Sequence, residues 1–246
     1  MQKEIRKTII DAAFHAGHGH IPSALSIVDI LVAIDSVKTN DDEFILSKGH
    51  GCLAYYAYLV YKGELTVDEI RNFGKVGSKL GCHPDRNKIK DVYASTGSLG
   101  HVFPISVGCA LAKKIKGEEG KVICLIGDGE ANEGSIWESF LLASKNKLDN
   151  LVCIIDNNNS QIRSLPTDNL DGKLLKFDLN VWDVDGHDVD MLVRAISEKD
   201  DKPNVVIANT IKGKGISDIE NDMFAWHHRA PNEDEYKRFI KEINEK

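Results

Sequence analysis

The chain has 246 residues, 42% hydrophobic and 28% charged, with a formal net charge of −7. That is the composition of an ordinary globular protein whose core needs no disulfide or metal staple, and its acidic balance argues against a nucleic-acid partner while leaving room for a local basic pocket. No stretch approaches the roughly 20 consecutive apolar residues of a membrane span, and the opening Met1-Gln2-Lys3-Glu4-Ile5-Arg6 has no signal-peptide apolar segment, so no membrane association and a cytoplasmic location are expected.

In chain order, apolar residues at helical spacing predict helices near 2–16, 24–35, 51–62, 66–74, 104–116, 134–146, 188–198 and 233–244. Among the later ones lie three short β-branched runs, at 122–126, 151–155 and 204–208. Such runs read as strands buried on both faces, which a parallel sheet flanked by helices produces. The expected fold is therefore α/β, as a single domain over 1–246, without linkers, low-complexity tracts or solenoid repeats. Cys52, Cys82, Cys109, Cys124 and Cys153 form no C-x-x-C pair and read as reduced core thiols.

In this architecture ligands bind at the carboxyl ends of strands. After 122–126 comes Gly127-Asp128-Gly129-Glu130-Ala131-Asn132-Glu133-Gly134, and after 151–155 comes Asp156-Asn157-Asn158-Asn159-Ser160-Gln161. The glycines let backbone approach a ligand while Asp128 offers a hard oxygen; the helix that follows would present amides to a phosphate. A carboxylate from one strand end and an amide oxygen from the next make an all-oxygen site suited to Mg²⁺ or Ca²⁺ and not to zinc. Nine histidines stand in the chain. His15 and His187 read as solvated loop side chains, and a metal cluster of His15, His18 and His20 lacks a completing carboxylate.

The paired loops resemble the thiamine diphosphate fingerprint, and the rest of the chain is similar to the diphosphate-binding domain of the transketolase family. The similarity runs in order through Gly17-His18-Gly19-His20-Ile21-Pro22-Ser23, Leu46-Ser47-Lys48-Gly49-His50, Gly81-Cys82-His83-Pro84, Ser95-Thr96-Gly97-Ser98-Leu99-Gly100, the loop at 127–138, Lys212-Gly213-Lys214-Gly215-Ile216 and Trp226-His227. The resemblance implies a thiamine diphosphate-binding fold and ketol transfer from a ketose to an aldose. It implies His20, His83 and His227 as catalytic, and Asp128, Asn158 and the Ser160 carbonyl as ligands of Mg²⁺ or Ca²⁺. It places the cofactor against Ser23, Lys48, His50, Gly97, Ser98, Leu99, Gly129, Glu133, Asn158, Lys212 and His227, with Glu133 in a carboxylate network across a subunit interface. Without the family pattern, Lys48 and Lys212 would read equally well as surface charge, and Glu133 as a helix N-terminal cap charge.

The family's second domain, which supplies the glutamate that activates the cofactor's pyrimidine, is expected to lie on another chain. The resemblance therefore implies a separate pyrimidine-binding subunit in an α2β2 heterotetramer, with a homodimer when the partner is missing. Four departures stand out: His101-Val102 where the family usually has Gln-Gly, His228 where it has Gly, a short segment between Ile34 and Phe44, and Asn159-Ser160. Two alternatives stay open, another thiamine diphosphate enzyme with a different donor and a noncatalytic cofactor-binding module. A nicotinamide domain is disfavoured, because no G-x-G-x-x-G follows the first strand.

Overall fold

The computed structural model describes residues 1–246 except Ser164, Thr167 and Lys246. Its strands are β1 (Glu43–Leu46), β2 (Val122–Gly127), β3 (Leu151–Asn157), β4 (Asn180–Asp185) and β5 (Asn204–Asn209). They form one sheet in the order β1-β2-β3-β5-β4, with every neighbouring pair parallel. Before β1 come α1 (Gln2–Ala16), α2 (Ile21–Leu25) and α3 (Val28–Val37); between β1 and β2 come α4 (Cys52–Tyr61), α5 (Val67–Arg71) and α6 (Val102–Lys116). Helix α7 (Gly134–Lys145) joins β2 to β3, α8 (Leu170–Leu175) precedes β4 and α9 (Val189–Ser197) precedes β5. Helices α10 (Ser217–Asn221) and α11 (Glu233–Glu245) close the chain.

Alternate side chains of the central strands enter two cores. On one face Leu125, Ile154 and Val206 meet Ile9, Leu25, Leu53, Leu192, Ile219 and Phe239 from the N-terminal helices and from α9, α10 and α11. On the other, Cys124, Ile126 and Ile155 meet Phe103, Phe140 and Leu174 from α6, α7 and α8. The chain leaving β3 thus turns to one face and the chain leaving β5 to the other. That change of side between adjacent strands is where an open parallel sheet leaves a ligand crevice.

The three expected strands are present, and every residue of β2 is buried. The edge strands β1 and β4 are additions: β1 has four residues, and β4 carries exposed Asp183 and Asp185, so neither reads as a continuous apolar run. Helices α8 and α10, of six and five residues, are likewise too short to show a period. The helix expected over 24–35 is two helices broken at Ser26-Ile27, where the Ser26 hydroxyl bonds to the Ser23 carbonyl (3.1 Å) and Asp156 Oδ2 (2.8 Å). That expected over 66–74 stops at Arg71 behind a Thr66/Glu69 capping box. All five cysteines are free thiols; Cys52, Cys124 and Cys153 are core residues, whereas Cys82 and Cys109 are only partly buried.

Candidate functional site

Asp128 and Asn158, each 3% exposed, follow β2 and β3. One amide, Ser160 N–H, donates to both Asp128 Oδ2 (2.8 Å) and Asn158 Oδ1 (3.0 Å), so the two oxygens lie side by side. The orientation of Asn158 is set from behind. Its Nδ2 donates to Asp156 Oδ2 (2.7 Å), which leaves Oδ1 facing the site.

Asp156 is fully buried at the end of β3, in register between Gly127 and Ala208. It also accepts from Ser26 Oγ and Thr210 Oγ1 and pairs with Lys48 Nζ. Lys48 Nζ donates besides to the Ser23 carbonyl (3.0 Å) and Ser26 Oγ (3.1 Å). The surface reading of Lys48 is therefore wrong, since its ammonium is held inside the protein in an ion pair with Asp156.

Lys212 is also no surface residue. It is 3% exposed and, among the described residues, makes no hydrogen bond or ion pair. Burial and the nearby Lys48 push its ammonium down to about 8, against the attraction of Asp128 and Asp156. Burial also raises the Asp128 carboxyl, with Asp156 adding to the effect and Lys48 opposing it. A buried cation without a partner beside a carboxylate that resists ionisation fits a site completed by a hard cation and an anion. Among the described residues no three His, Cys, Asp or Glu side chains group to hold a metal. The donor set is instead one carboxylate with one amide oxygen, which suits Mg²⁺ or Ca²⁺.

The helix expected over 134–146 is α7, reached from Gly127-Asp128-Gly129 through a 3₁₀ turn, Glu130–Asn132. Glu133 occupies the N-cap position of α7 and is exposed, so it stands where a helix N-terminal cap charge would, although its side chain makes no capping bond. Glu130 was not singled out from sequence, yet it ties three motif loops together. Its buried Oε1 accepts from Ser47 Oγ (2.5 Å) and Gly100 N–H (3.0 Å). Gly97, Ser98 and Leu99 are exposed, and Ser98 Oγ lies 2.9 Å from His101 Nδ1. The His101-Val102 departure resolves simply: His101 stays outside while Val102 enters the core under α6.

Beside the oxygen site runs a row of imidazoles. His83 lies 5.2 Å from His50, His50 4.6 Å from His20, and His20 5.4 Å from His227 and 4.5 Å from His228, between ring centroids. Gly49 permits the first of these contacts, since a Cβ there would come 2.5 Å from His83 Nδ1. Burial, followed by neighbouring rings and charges, lowers His20 to about 3 and His50 to about 4. Burial also lowers His83 and His227. These imidazoles are neutral near pH 7 and able to accept or share a proton. His228 joins the row from the departed position. Of His15, His18 and His20, His15 stands apart and faces Asp11, whereas His18 meets Phe73 and His228, and His20 meets His50 and His228. The solvated reading of His187 is overturned, because its Nδ1 lies 2.7 Å from buried Asp29 and its Nε2 accepts from Ile211 N–H (2.8 Å).

A parallel α/β domain with paired oxygen donors and a buried lysine at its change of winding, beside a row of imidazoles, is built like a cofactor-binding domain. This chain belongs to the transketolase family: residues 1–243 match the family described as transketolase, thiamine diphosphate binding domain. It is 38% identical to one of the subunits of the apulose-4-phosphate transketolase of Actinobacillus succinogenes, over 98% of this chain and 93% of that one. It is 33% identical to the SqwG subunit of the 6-deoxy-6-sulfo-D-fructose transketolase of a Clostridium species, over 97% and 93%. Human transketolase is 34% identical over 97% of this chain, which spans only 41% of the human protein. The crystal structure of Campylobacter jejuni transketolase superimposes with a TM-score of 0.90 at 27% identity, over 99% of this chain and 42% of that one.

Proposed function

We propose that this chain is the N-terminal, diphosphate-binding subunit of a two-chain transketolase. With thiamine diphosphate and Mg²⁺ or Ca²⁺, the enzyme transfers a two-carbon ketol unit from a ketose donor to an aldehyde acceptor. The observation that carries the reading is the convergence of Asp128 Oδ2 and Asn158 Oδ1 on one amide, near a buried Lys212 that makes no ion pair among the described residues. The similarity to single subunits of two other transketolases, along nearly their whole length, supports the division into two chains. Their names point to sugars bearing a phosphate or a sulfo group, which supports an anionic sugar as donor here.

In this reading Asp128, Asn158 and the Ser160 carbonyl hold the metal. Lys212 pairs with the diphosphate, while Ser23, His50, Gly97, Ser98, Leu99, Gly129, Glu133 and His227 line the cofactor. Lys48 acts from behind the site, because its ammonium already holds Asp156 and Ser23. The cofactor supplies the carbon nucleophile and the electron sink. His20, His83 and His227 handle protons on substrate oxygens, work suited to rings that burial keeps neutral. The partner is a separate pyrimidine-binding subunit, in a cytoplasmic heterotetramer of two copies each, and a homodimer forms in its absence.

The test is to purify the chain and assay ketol transfer from a ketose donor with magnesium and cofactor supplied. No transfer by the chain alone, and transfer once the second polypeptide is supplied, are expected. Full activity without a second polypeptide rejects the two-chain reading, and cofactor binding without turnover in the reconstituted complex favours the noncatalytic module.

A further inference from the structure

Lys212 lies in the loop that follows β5, and this loop is tied down on both sides by one charged network that approaches from behind the site. His187, in the turn between β4 and α9, accepts from Ile211 N–H at 2.8 Å, one residue before Lys212. Arg6, from α1, donates from Nε to the Lys214 carbonyl at 3.2 Å, two residues after it. Both side chains converge on Asp29 Oδ2 from α3, each at 2.7 Å, and Gln2 Nε2 donates to Asp29 Oδ1 at 2.9 Å. Asp29 is 3% exposed. Burial pushes its carboxyl up, but the hydrogen bond from His187 and the Arg6 guanidinium outweigh this and hold it below the usual carboxylate range. A third tie, Gly213 N–H to the Pro22 carbonyl (3.1 Å), joins the loop to α2 beside Ser23.

The loop's own sequence matches these ties. Gly213 and Gly215 have φ of +95° and +102°, which side chains rarely adopt, and a Cβ on Gly215 would stand 2.9 Å from Arg6 Cδ. The roles within the network follow from chemistry. An N–H must donate to the ionised Asp29 and a lone pair must accept from Ile211, so His187 is the neutral tautomer with its proton on Nδ1.

We propose that Arg6, Asp29 and His187 form a positioning network that holds the Lys212 loop ready for the cofactor's diphosphate. This rests on the reading of Lys212 given above. A buried ammonium pairs well with an anion only if its backbone is already in place, because ordering a free loop on binding costs affinity. None of the three residues is placed against cofactor or substrate. They act through residues 211–214.

The experiment uses the full chain in complex with its partner, as wild type and as four variants: His187→Ala, His187→Gln, Lys212→Ala and the double variant His187→Ala/Lys212→Ala. Glutamine can present an amide N–H to Asp29 and a carbonyl to Ile211, whereas alanine can do neither. Amide hydrogen exchange over 210–216 without cofactor is expected to speed up several-fold in His187→Ala, with exchange in β2 and β3 unchanged, and to return towards wild type in His187→Gln. Affinity for thiamine diphosphate should fall about three- to tenfold in His187→Ala, as for one lost hydrogen bond, with kcat at saturating cofactor little changed. Affinity for thiamine monophosphate should fall less. In the double variant His187→Ala/Lys212→Ala, affinity should match that of Lys212→Ala, because a loop without its lysine has nothing to position. Unchanged exchange over 210–216, or additive losses in the double variant, overturns the network while leaving the cofactor reading intact. If Lys212→Ala binds the cofactor like wild type, the cofactor reading of Lys212 fails and this inference fails with it, whatever the exchange shows.

Discussion

The oxygen site and the imidazole row lie side by side but are built differently. Asp128, Asn158 and Asp156 stand at the ends of adjacent central strands, all nearly or fully buried, and each is held by hydrogen bonds from neighbouring loops. The imidazoles come from four separate segments, around His20, His50, His83 and His227. They meet by ring contact, and among the described residues His83 Nδ1 is buried without a hydrogen-bond partner. The sheet thus fixes the half proposed for binding in advance, whereas the half proposed for proton handling is an array of neutral rings. Substitutions should therefore act on binding and stability in the first region, and on turnover and pH response in the second.

The largest effect is expected from Asp128→Ala. It removes the one carboxylate facing the cation, leaving two positive charges opposite fewer anionic ligands, so metal-dependent cofactor binding should be lost. Calorimetry with and without magnesium checks this, and equal affinity in variant and wild type would move the cation elsewhere.

Asp156→Ala tests how firmly the binding half is built. It strands Lys48 in the interior and frees the Asn158 amide, and breaking a buried pair in this way costs about 3–5 kcal/mol. Urea unfolding should show the loss. Adding Lys48→Met to the same chain should restore most of the stability but not the metal affinity, because the Asn158 orientation is still unfixed. A loss below about 1 kcal/mol in the single variant, typical of a solvated pair, would make this half no more rigid than the other.

In the second region, His20→Ala and His227→Ala should each lower turnover by roughly 10²-fold, as expected when acid–base assistance is lost, with little change in melting temperature. His228 sharpens the comparison, since its ring is nearer His20 than that of His227. If His228→Ala abolishes turnover and His227→Ala does not, the catalytic register is one residue later than assigned.

The buried parts of this molecule were the most legible in its sequence. The β2, β3 and β5 runs announce central strands because both faces are apolar, and the loops after them carry Asp128, Asn158 and Lys212 at the positions the architecture favours. Edge strand β4 was hidden because its sequence, Asn180-Val181-Trp182-Asp183-Val184-Asp185, mixes solvent-facing carboxylates with its apolar residues. Asp156 was in view as the first residue of an Asn-rich loop, but only the fold shows it buried and paired, with Lys48 brought to it across 108 positions. An aspartate closing a wholly apolar strand was the available signal. His187 and Asp29 are 158 positions apart, and no local pattern reports their pairing.

The smallest expected effect, on stability against pH, separates the two regions most directly. An unfolded histidine titrates near 6.5, whereas burial, followed by the neighbouring rings, holds His20 at about 3 and His50 at about 4 in the folded chain. As pH falls below about 6.5 the unfolded chain takes up protons that these folded imidazoles refuse. The row therefore lowers stability progressively through that range, until the folded rings themselves titrate near pH 4 and pH 3. This is the reverse of a histidine held by a carboxylate, which gains stability on acidification. His20→Gln keeps a polar side chain of similar reach but binds no proton, so its stability should fall less between pH 7 and pH 5. The difference in melting temperature should grow by roughly 2–4 °C over that interval for a chain of this size. Parallel melting curves for variant and wild type across pH 5–7 would mean that His20 titrates like a solvent-exposed ring, and the row would then lose the desolvation that keeps it neutral beside Lys212.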